Sequence, residues 1–228
     1  MLPDHVAKRG MSYYANSLFD IAFPDAPDLR FERSVEQDLK GRFAGIDEAG
    51  RGPWAGPVVV AAASLDYNNL PEGLNDSKKL TEAKREALFE QILETADVSV
   101  CVQSARTIDQ LNIREATLQG MQSCAQSLSV PVKQFFIDGK DVPHNLQEQG
   151  QALIKGDGRC LAISAASIVA KVTRDRLMVK MDRFYPEYGF AKHKGYGTKQ
   201  HQEALAAHGV TPLHRRSFRP IRVMIEGS

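Results

Sequence analysis

Apolar positions along the chain change their period several times, and each change predicts an element. Residues 43–46 and 57–64 are short apolar runs separated by a glycine-rich stretch, which predicts two strands opening as a hairpin. Leu80, Ala83, Ala87, Leu88 and Leu93 recur at helical spacing, so an amphipathic helix is expected from Thr81 to about Ala96. The VSVCV run at 98–102 alternates as a third strand. Ile108, Leu111, Leu118, Met121, Ala125 and Leu128 mark one or two helices, with a capping-box pattern at Thr107 and Gln110. After Pro131 an apolar run stops at Asp138-Gly139, and a short strand at 152–154 precedes Gly156-Asp157-Gly158. Residues 161–185 form one long helix whose first turns are rich in small residues, suited to close packing on whatever lies beneath. A final short helix spans 198–207 and stops at Gly209.

Residues 1–42 read as an N-terminal extension broken by Pro3, Pro24 and Pro27, with a short helix opened by Ser34 and Gln37 at capping-box spacing. Residues 43–228 form one domain, including a C-terminal helical portion from about 186. Strands that begin as a hairpin and are later separated by helices predict an α/β fold, a mixed sheet flanked by helices. In such sheets ligands gather beyond the carboxyl ends of the strands.

Composition changes this picture little. The chain has 228 residues, 43% hydrophobic and 25% charged, with a net charge of only +1. That is ordinary globular material with one sizeable core. Charge is uneven, however: from Lys192 to Arg222 there are seven Lys/Arg against the single acid Glu203, mixed with His193, Tyr196, His201, His208, His214 and Phe218. Such a mixture suits phosphates and sugars. Cys101, Cys124 and Cys160 are widely spaced, without C-x-x-C, and read as reduced structural thiols. No signal peptide and no membrane-spanning run is evident, so a cytoplasmic chain without a membrane partner is expected.

Three predicted strands run into acidic residues beside glycine. Asp47 and Glu48 precede Gly50-Arg51-Gly52-Pro53, Asp138 precedes Gly139, and Asp157 lies between Gly156 and Gly158. Adjacent strand residues face opposite sides, so Asp47 and Glu48 converge only where their strand ends or bulges. Four carboxylates without a matching His or Cys set offer hard oxygen ligands, suited to Mg²⁺ or Mn²⁺ and not to zinc. Packed together they would raise one another's pKa unless a cation sat among them. Two such ions can support in-line displacement at phosphorus. Asp before Gly is also common turn chemistry. P-loop, dinucleotide-binding and nucleophile-elbow signatures are absent.

GIDEAGRGPWAGPVVVAA, LNDSKKL, FIDGK, IKGDGRCLAISAASIVAKVTRDR, YGFAKHKGYGT and HRRSF fall in the order and approximate spacing of one family. Over residues 43 to 220 the chain resembles the bacterial ribonuclease HII family. The resemblance implies a ribonuclease H-like fold with a C-terminal helical portion. It implies hydrolysis of the RNA strand of RNA–DNA hybrids and incision at single ribonucleotides in duplex DNA. Asp47, Glu48, Asp138 and Asp157 would be the catalytic, metal-holding quartet. Gly50, Arg51 and Gly52 would contact the ribonucleotide, Tyr196 would read its 2′-hydroxyl, and Ser77 and Lys78 would lie near the substrate backbone. A monomer is expected. The family pattern often has proline where this chain has Gly197, which implies a looser loop after Tyr196.

Blander readings stand beside these. Arg174 and Asp175 read as helix-surface charges, Trp54 as a packing residue, and His193 and His201 as phosphate contacts or surface groups. A related-fold DNA nuclease and a non-catalytic hybrid-binding module remain the alternatives to an endoribonuclease.

Overall fold

The computed structural model of the protein describes residues 21–74, 77 and 80–227. Helix α1 (Leu29–Leu39) leads into β1 (Arg42–Ala49) and β2 (Val58–Leu65), then α2 (Glu82–Thr95) and β3 (Ala96–Gln103). Two helices, α3 (Ala105–Leu111) and α4 (Ile113–Ser127), precede β4 (Val132–Asp138) and the short β5 (Gly150–Leu153). The long α5 (Leu161–Asp182) is followed by α6 (Phe190–His193), α7 (Lys199–His208) and α8 (Arg219–Glu226).

The five strands form one mixed sheet in the order β3-β2-β1-β4-β5. β1 pairs antiparallel with β2 and β2 with β3, while β1–β4 and β4–β5 are parallel. β2 is buried along its whole length, as expected of a strand covered on both faces. One face, with Phe43, Val59, Ala61 and Phe136, packs against α5 together with α1 and α2. The other, with Ala44, Ile46, Val60, Phe135 and Ile137, packs against Met121 and Cys124 of α4.

Small residues make the α5 contact possible. A Cβ on Gly45 would fall 2.2 Å from backbone atoms of Ala162 and Ile163, so the helix rests directly on β1 at that point. The small-residue stretch at the start of the predicted long helix serves this close approach. A third cluster, with Ala55, Met178, Tyr188, Phe190, Leu205 and Ile221, ties the C-terminal helices to the far end of α5.

Several expectations need correction. α1 begins at Leu29 under an Asp28 cap that accepts from the N–H groups of Arg30 and Phe31, and Ser34 lies inside it, donating to the Phe31 carbonyl. Ser104, not Thr107, caps α3. β5 starts two residues earlier than the predicted strand at 152–154, leaving Ile154 outside it. A further helix, α8, follows the one expected to be last; its Pro220 sits in the first turn, where a missing N–H is harmless. Among the described residues no helix is long and apolar enough to cross a membrane.

Candidate active site

β1 does not stop at Ile46. Its pairing with β2 continues through Asp47↔Ala61, Glu48↔Val60 and Ala49↔Val59, whereas its parallel pairing with β4 ends at Ile46↔Ile137. Asp47 and Glu48 therefore occupy regular strand positions along a notch where β1 outruns β4, instead of converging at a strand end. Alternation puts Asp47 on the α5 face and Glu48 on the α4 face. Asp138, last residue of β4, stands across the strand pair from Asp47.

Asp47 is only 4% exposed. Burial, then the charge of Glu48, then that of Asp138 raise its pKa well above the usual carboxylate range. The Ser167 hydroxyl and the Glu48 N–H, at 2.7 Å from Oδ1, offset this only in part. Ser167 belongs to α5, and its Oγ lies 2.9 Å from the Ser77 Oγ. With Ser167 donating to a carboxylate, Ser77 must donate to Ser167. Ser77 is buried, its carbonyl held by Arg85 at 2.9 Å. Lys78 lies outside the described residues.

Asp138 and Asp157 are joined through a tight turn. The Gly156 N–H donates to Asp138 Oδ1 at 2.7 Å, and Asp157 follows in the 3-10 turn Gly156–Gly158 after left-handed Lys155. Asp157 is buried, and its carbonyl accepts from Ser164 of α5 at 2.5 Å. Asp138 at the end of β4 and Asp157 just beyond β5 thus stand beside the Asp47–Glu48 stretch of the parallel strand β1, near the first turns of α5. Among the described residues no three His, Cys, Asp or Glu side chains close into a ready metal cage.

Beside the carboxylates lies the glycine loop. Gly50 has φ +95°, a conformation that only glycine adopts without strain, and a Cβ there would fall 1.9 Å from Arg174 Nε. Arg51 is exposed and reaches back to Glu48 Oε1 at 3.4 Å. Tyr196, 48% exposed, sets its ring edge against Gly52. Packing accounts for the glycine after Tyr196. Trp54 fills the space a side chain at Gly197 would need, 2.3 Å from such a Cβ, and the Gly197 carbonyl accepts from Gln202 at 3.0 Å.

Two arginines without an expected role support this loop. Arg174, expected on the helix surface, is 1% exposed, and Arg215 is fully buried. Arg174 donates to the carbonyls of Pro57 (2.9 Å), Ala55 (3.2 Å) and Lys194 (2.9 Å). Arg215 donates to Gly56 (3.0 Å), Arg51 (2.9 Å) and Gly50 (2.6 Å). Burial and the neighbouring Arg174 push the Arg215 pKa down to about 9. The only hint in the sequence is glycine at 50 and 56, where the loop must admit a bulky neighbour.

The histidines are likewise not surface groups. His193, His201 and His214 are buried. The Thr211 N–H donates to His214 Nδ1 at 2.9 Å, which leaves the proton on Nε2. That proton meets His201 Nε2 at 3.0 Å, and His201 Nδ1 then donates to the Tyr196 carbonyl at 2.9 Å. Burial pushes both His201 and His214 down to about 4, so the chain of bonds is neutral.

The family described as Ribonuclease HII matches residues 44–221, which span the sheet, the four carboxylates, the glycine loop and Tyr196. The chain belongs to the ribonuclease HII family. It is 52% identical over 210 residues to a Ribonuclease HII of Rhizobium etli (strain CIAT 652), covering 92% of this chain and 91% of the relative. It is 57% identical over 195 residues to one from Shewanella loihica (strain ATCC BAA-1088 / PV-4), covering 84% and 94%. Its fold matches the crystal structure of the ribonuclease H2 from Pyrococcus horikoshii OT3 with a TM-score of 0.70 at 30% identity, over 82% of this chain and 98% of that one. The expected ribonuclease H-like architecture, a mixed sheet flanked by helices, is the one observed, and the chain is a ribonuclease.

Proposed function

We propose that this ribonuclease is a divalent-metal endonuclease that cuts the RNA strand of RNA–DNA hybrids and incises duplex DNA on the 5′ side of a single ribonucleotide. The observation that carries the reading is Asp47, buried between two further carboxylates at the mouth of a glycine loop. A buried acid with a raised pKa is a burden on the fold unless something positive joins it. The donor set is all oxygen, which fits Mg²⁺ or Mn²⁺.

Asp47, Glu48, Asp138 and Asp157 would hold the metal, whose chemistry when bound is to polarise phosphoryl oxygens and stabilise the attacking and leaving oxygens of an in-line displacement. Ser167 fixes the orientation of the Asp47 carboxylate, and Ser77 fixes Ser167. Exposed Arg51 is placed to meet a phosphate, and Tyr196 packs on the adjoining sugar. The 2′-hydroxyl both donates and accepts, so a loop offering backbone groups reads it without reading the base. Water adds to phosphorus as the preceding nucleotide's 3′-oxygen leaves; the ribonucleotide keeps a 5′-phosphate and its neighbour gains a 3′-hydroxyl.

The test is cleavage of an end-labelled DNA duplex with one ribonucleotide, beside an all-DNA control, in Mg²⁺, Mn²⁺ or EDTA. Incision confined to the 5′ side of the ribonucleotide and lost in EDTA is expected. Asp47→Asn should reduce turnover by at least a thousandfold while the circular dichroism spectrum is kept. Equal cutting of the control, or full activity in a pure Asp47→Asn preparation, would overturn the proposal.

A further inference from the structure

Beneath the glycine loop lie two buried cations for which the hydrolysis step has no use. Among the described residues neither Arg174 nor Arg215 forms an ion pair. Their hydrogen-bond partners are six backbone carbonyls, five of them within residues 50–57, and the Arg215 guanidinium also lies over the Phe218 ring. The sixth belongs to Lys194, two residues before Tyr196. A single guanidinium on α5 therefore joins the glycine loop to the Tyr196 loop. Backbone bonds complete the seam: Trp54 N–H donates to the Gly195 carbonyl at 2.9 Å, and Arg215 N–H to the Trp54 carbonyl at 2.9 Å.

Peptide planarity gives these contacts a direction. In a trans peptide the C=O and the following N–H point opposite ways. Arg215 draws the Gly50 and Arg51 carbonyls inward, so the N–H groups of Arg51 and Gly52 face outward, on the side where Tyr196 meets Gly52. Only a planar fork with several fixed donors can hold carbonyls in this pattern; a lysine ammonium is a point charge without that geometry.

We infer that Arg174 and Arg215 are positioning residues for 2′-hydroxyl discrimination: through the carbonyls they hold, they lock the Gly50–Gly52 loop and Tyr196 into one preorganised reader. The inference rests on the proposed reading of the 2′-hydroxyl by those residues. Preorganised groups bind without further ordering, so loosening them should weaken recognition of the one feature they read. Grip on the rest of the duplex should stay.

The test uses the full chain carrying Asp47→Asn, so that substrates survive. Dissociation constants are measured for a duplex with one ribonucleotide and for its all-DNA counterpart, with Arg215→Lys, Arg215→Gln and Arg174→Lys added singly. The ratio of the two constants is the readout, because a loss of folded protein scales both equally. Each arginine variant is expected to lower the all-DNA constant divided by the ribonucleotide constant at least fivefold while all-DNA affinity stays within twofold. Both affinities falling together with the ratio unmoved would overturn the inference, since that is the mark of lost phosphate grip or general destabilisation. Retention of the ratio by Arg215→Lys with its loss in Arg215→Gln would also overturn it, because charge alone would then suffice. A parent protein that binds both duplexes alike sinks the 2′-hydroxyl reading itself and this inference with it. A parent that discriminates, with arginine variants that discriminate equally well, sinks this inference alone.

Discussion

Asp47 accepts from the Glu48 N–H, but among the described residues the charges that act on it are those of Glu48 and Asp138, both acids. Asparagine at 47 retains an oxygen for the Glu48 N–H and removes the repulsion. Asp47→Asn should therefore melt a few degrees higher than the parent in EDTA, where about 1 kcal/mol corresponds to roughly 2–4 °C for a chain of this size. Millimolar Mg²⁺ or Mn²⁺ should raise the melting temperature of the parent and leave that of the variant nearly unmoved, because only binding to the native state stabilises it. Scanning calorimetry with and without metal checks both; a variant that melts lower in EDTA would show that the charge is no burden. The carboxylates are legible in the sequence because Asp138 and Asp157 adjoin glycines and Asp47-Glu48 lies just ahead of the glycine loop. Arg174, Arg215 and the three histidines are not, since apart from the glycines at 50 and 56 nothing in the order of residues marks which polar side chains the fold will bury. Burial of the two arginines is decided by tertiary contacts more than a hundred residues apart.

Helix α5 supplies Ser164, Ser167 and Arg174, so what fixes its first turn bears on the whole site. Glu32 of α1 does so: Oε1 accepts the Leu161 N–H at 2.6 Å and Oε2 the Tyr67 hydroxyl at 2.7 Å. Burial pushes Glu32 up to about 7, against the opposing pull of those hydrogen bonds. A carboxyl with a folded pKa above its unfolded one stabilises fully below about 4.5 and loses that contribution as pH rises through 7. His201 and His214 act oppositely: with folded values near 4, below the unfolded 6.5, their contribution is full above 6.5 and is lost as pH falls toward 4. The two trends offset each other between 4.5 and 6.5. Glu32→Gln keeps the shape without the titration, so its stability relative to the parent should rise by about 2–3 kcal/mol between pH 4.5 and 8. Urea unfolding of both proteins across that range measures the difference; a constant difference would mean that Glu32 keeps one protonation state throughout. The elements involved are unevenly legible. The β1–β2 hairpin, α2, β3, β4 and α5 follow from apolar runs and spacing, although β3 turns Val100 and Val102 outward and buries Ser99. α1 begins ahead of its expected start because the Ser34–Gln37 spacing imitates a cap, and α8 escapes notice because it is only eight residues long, although its apolar positions do share one face around Ile221 and Met224.

At the scale of the molecule, charge separates into two populations that the sequence shows only as one basic stretch. Arg215 is taken inside to hold the glycine loop, while Lys192, Lys199, Arg216, Arg219 and Arg222 stay exposed around the C-terminal helices. The buried group acts on backbone geometry and is silent to salt. The exposed group faces solvent, where an approaching duplex would exchange its condensed counterions for protein cations, each neutralised phosphate adding about 0.9 to the slope of log K against log salt. Replacing Arg219 and Arg222 together by Gln in the Asp47→Asn protein should weaken binding of ribonucleotide-containing and all-DNA duplexes by the same factor. The salt slope should fall by about 0.9 for each phosphate that the variant no longer neutralises, close to two if both arginines engage. Titrations at several salt concentrations suffice, and an unchanged slope would remove α8 from the interface. Equal weakening here, set against selective weakening in the Arg174 and Arg215 variants, would separate grip from reading: the rim holds any duplex, and the buried forks shape the loop that asks for a 2′-hydroxyl.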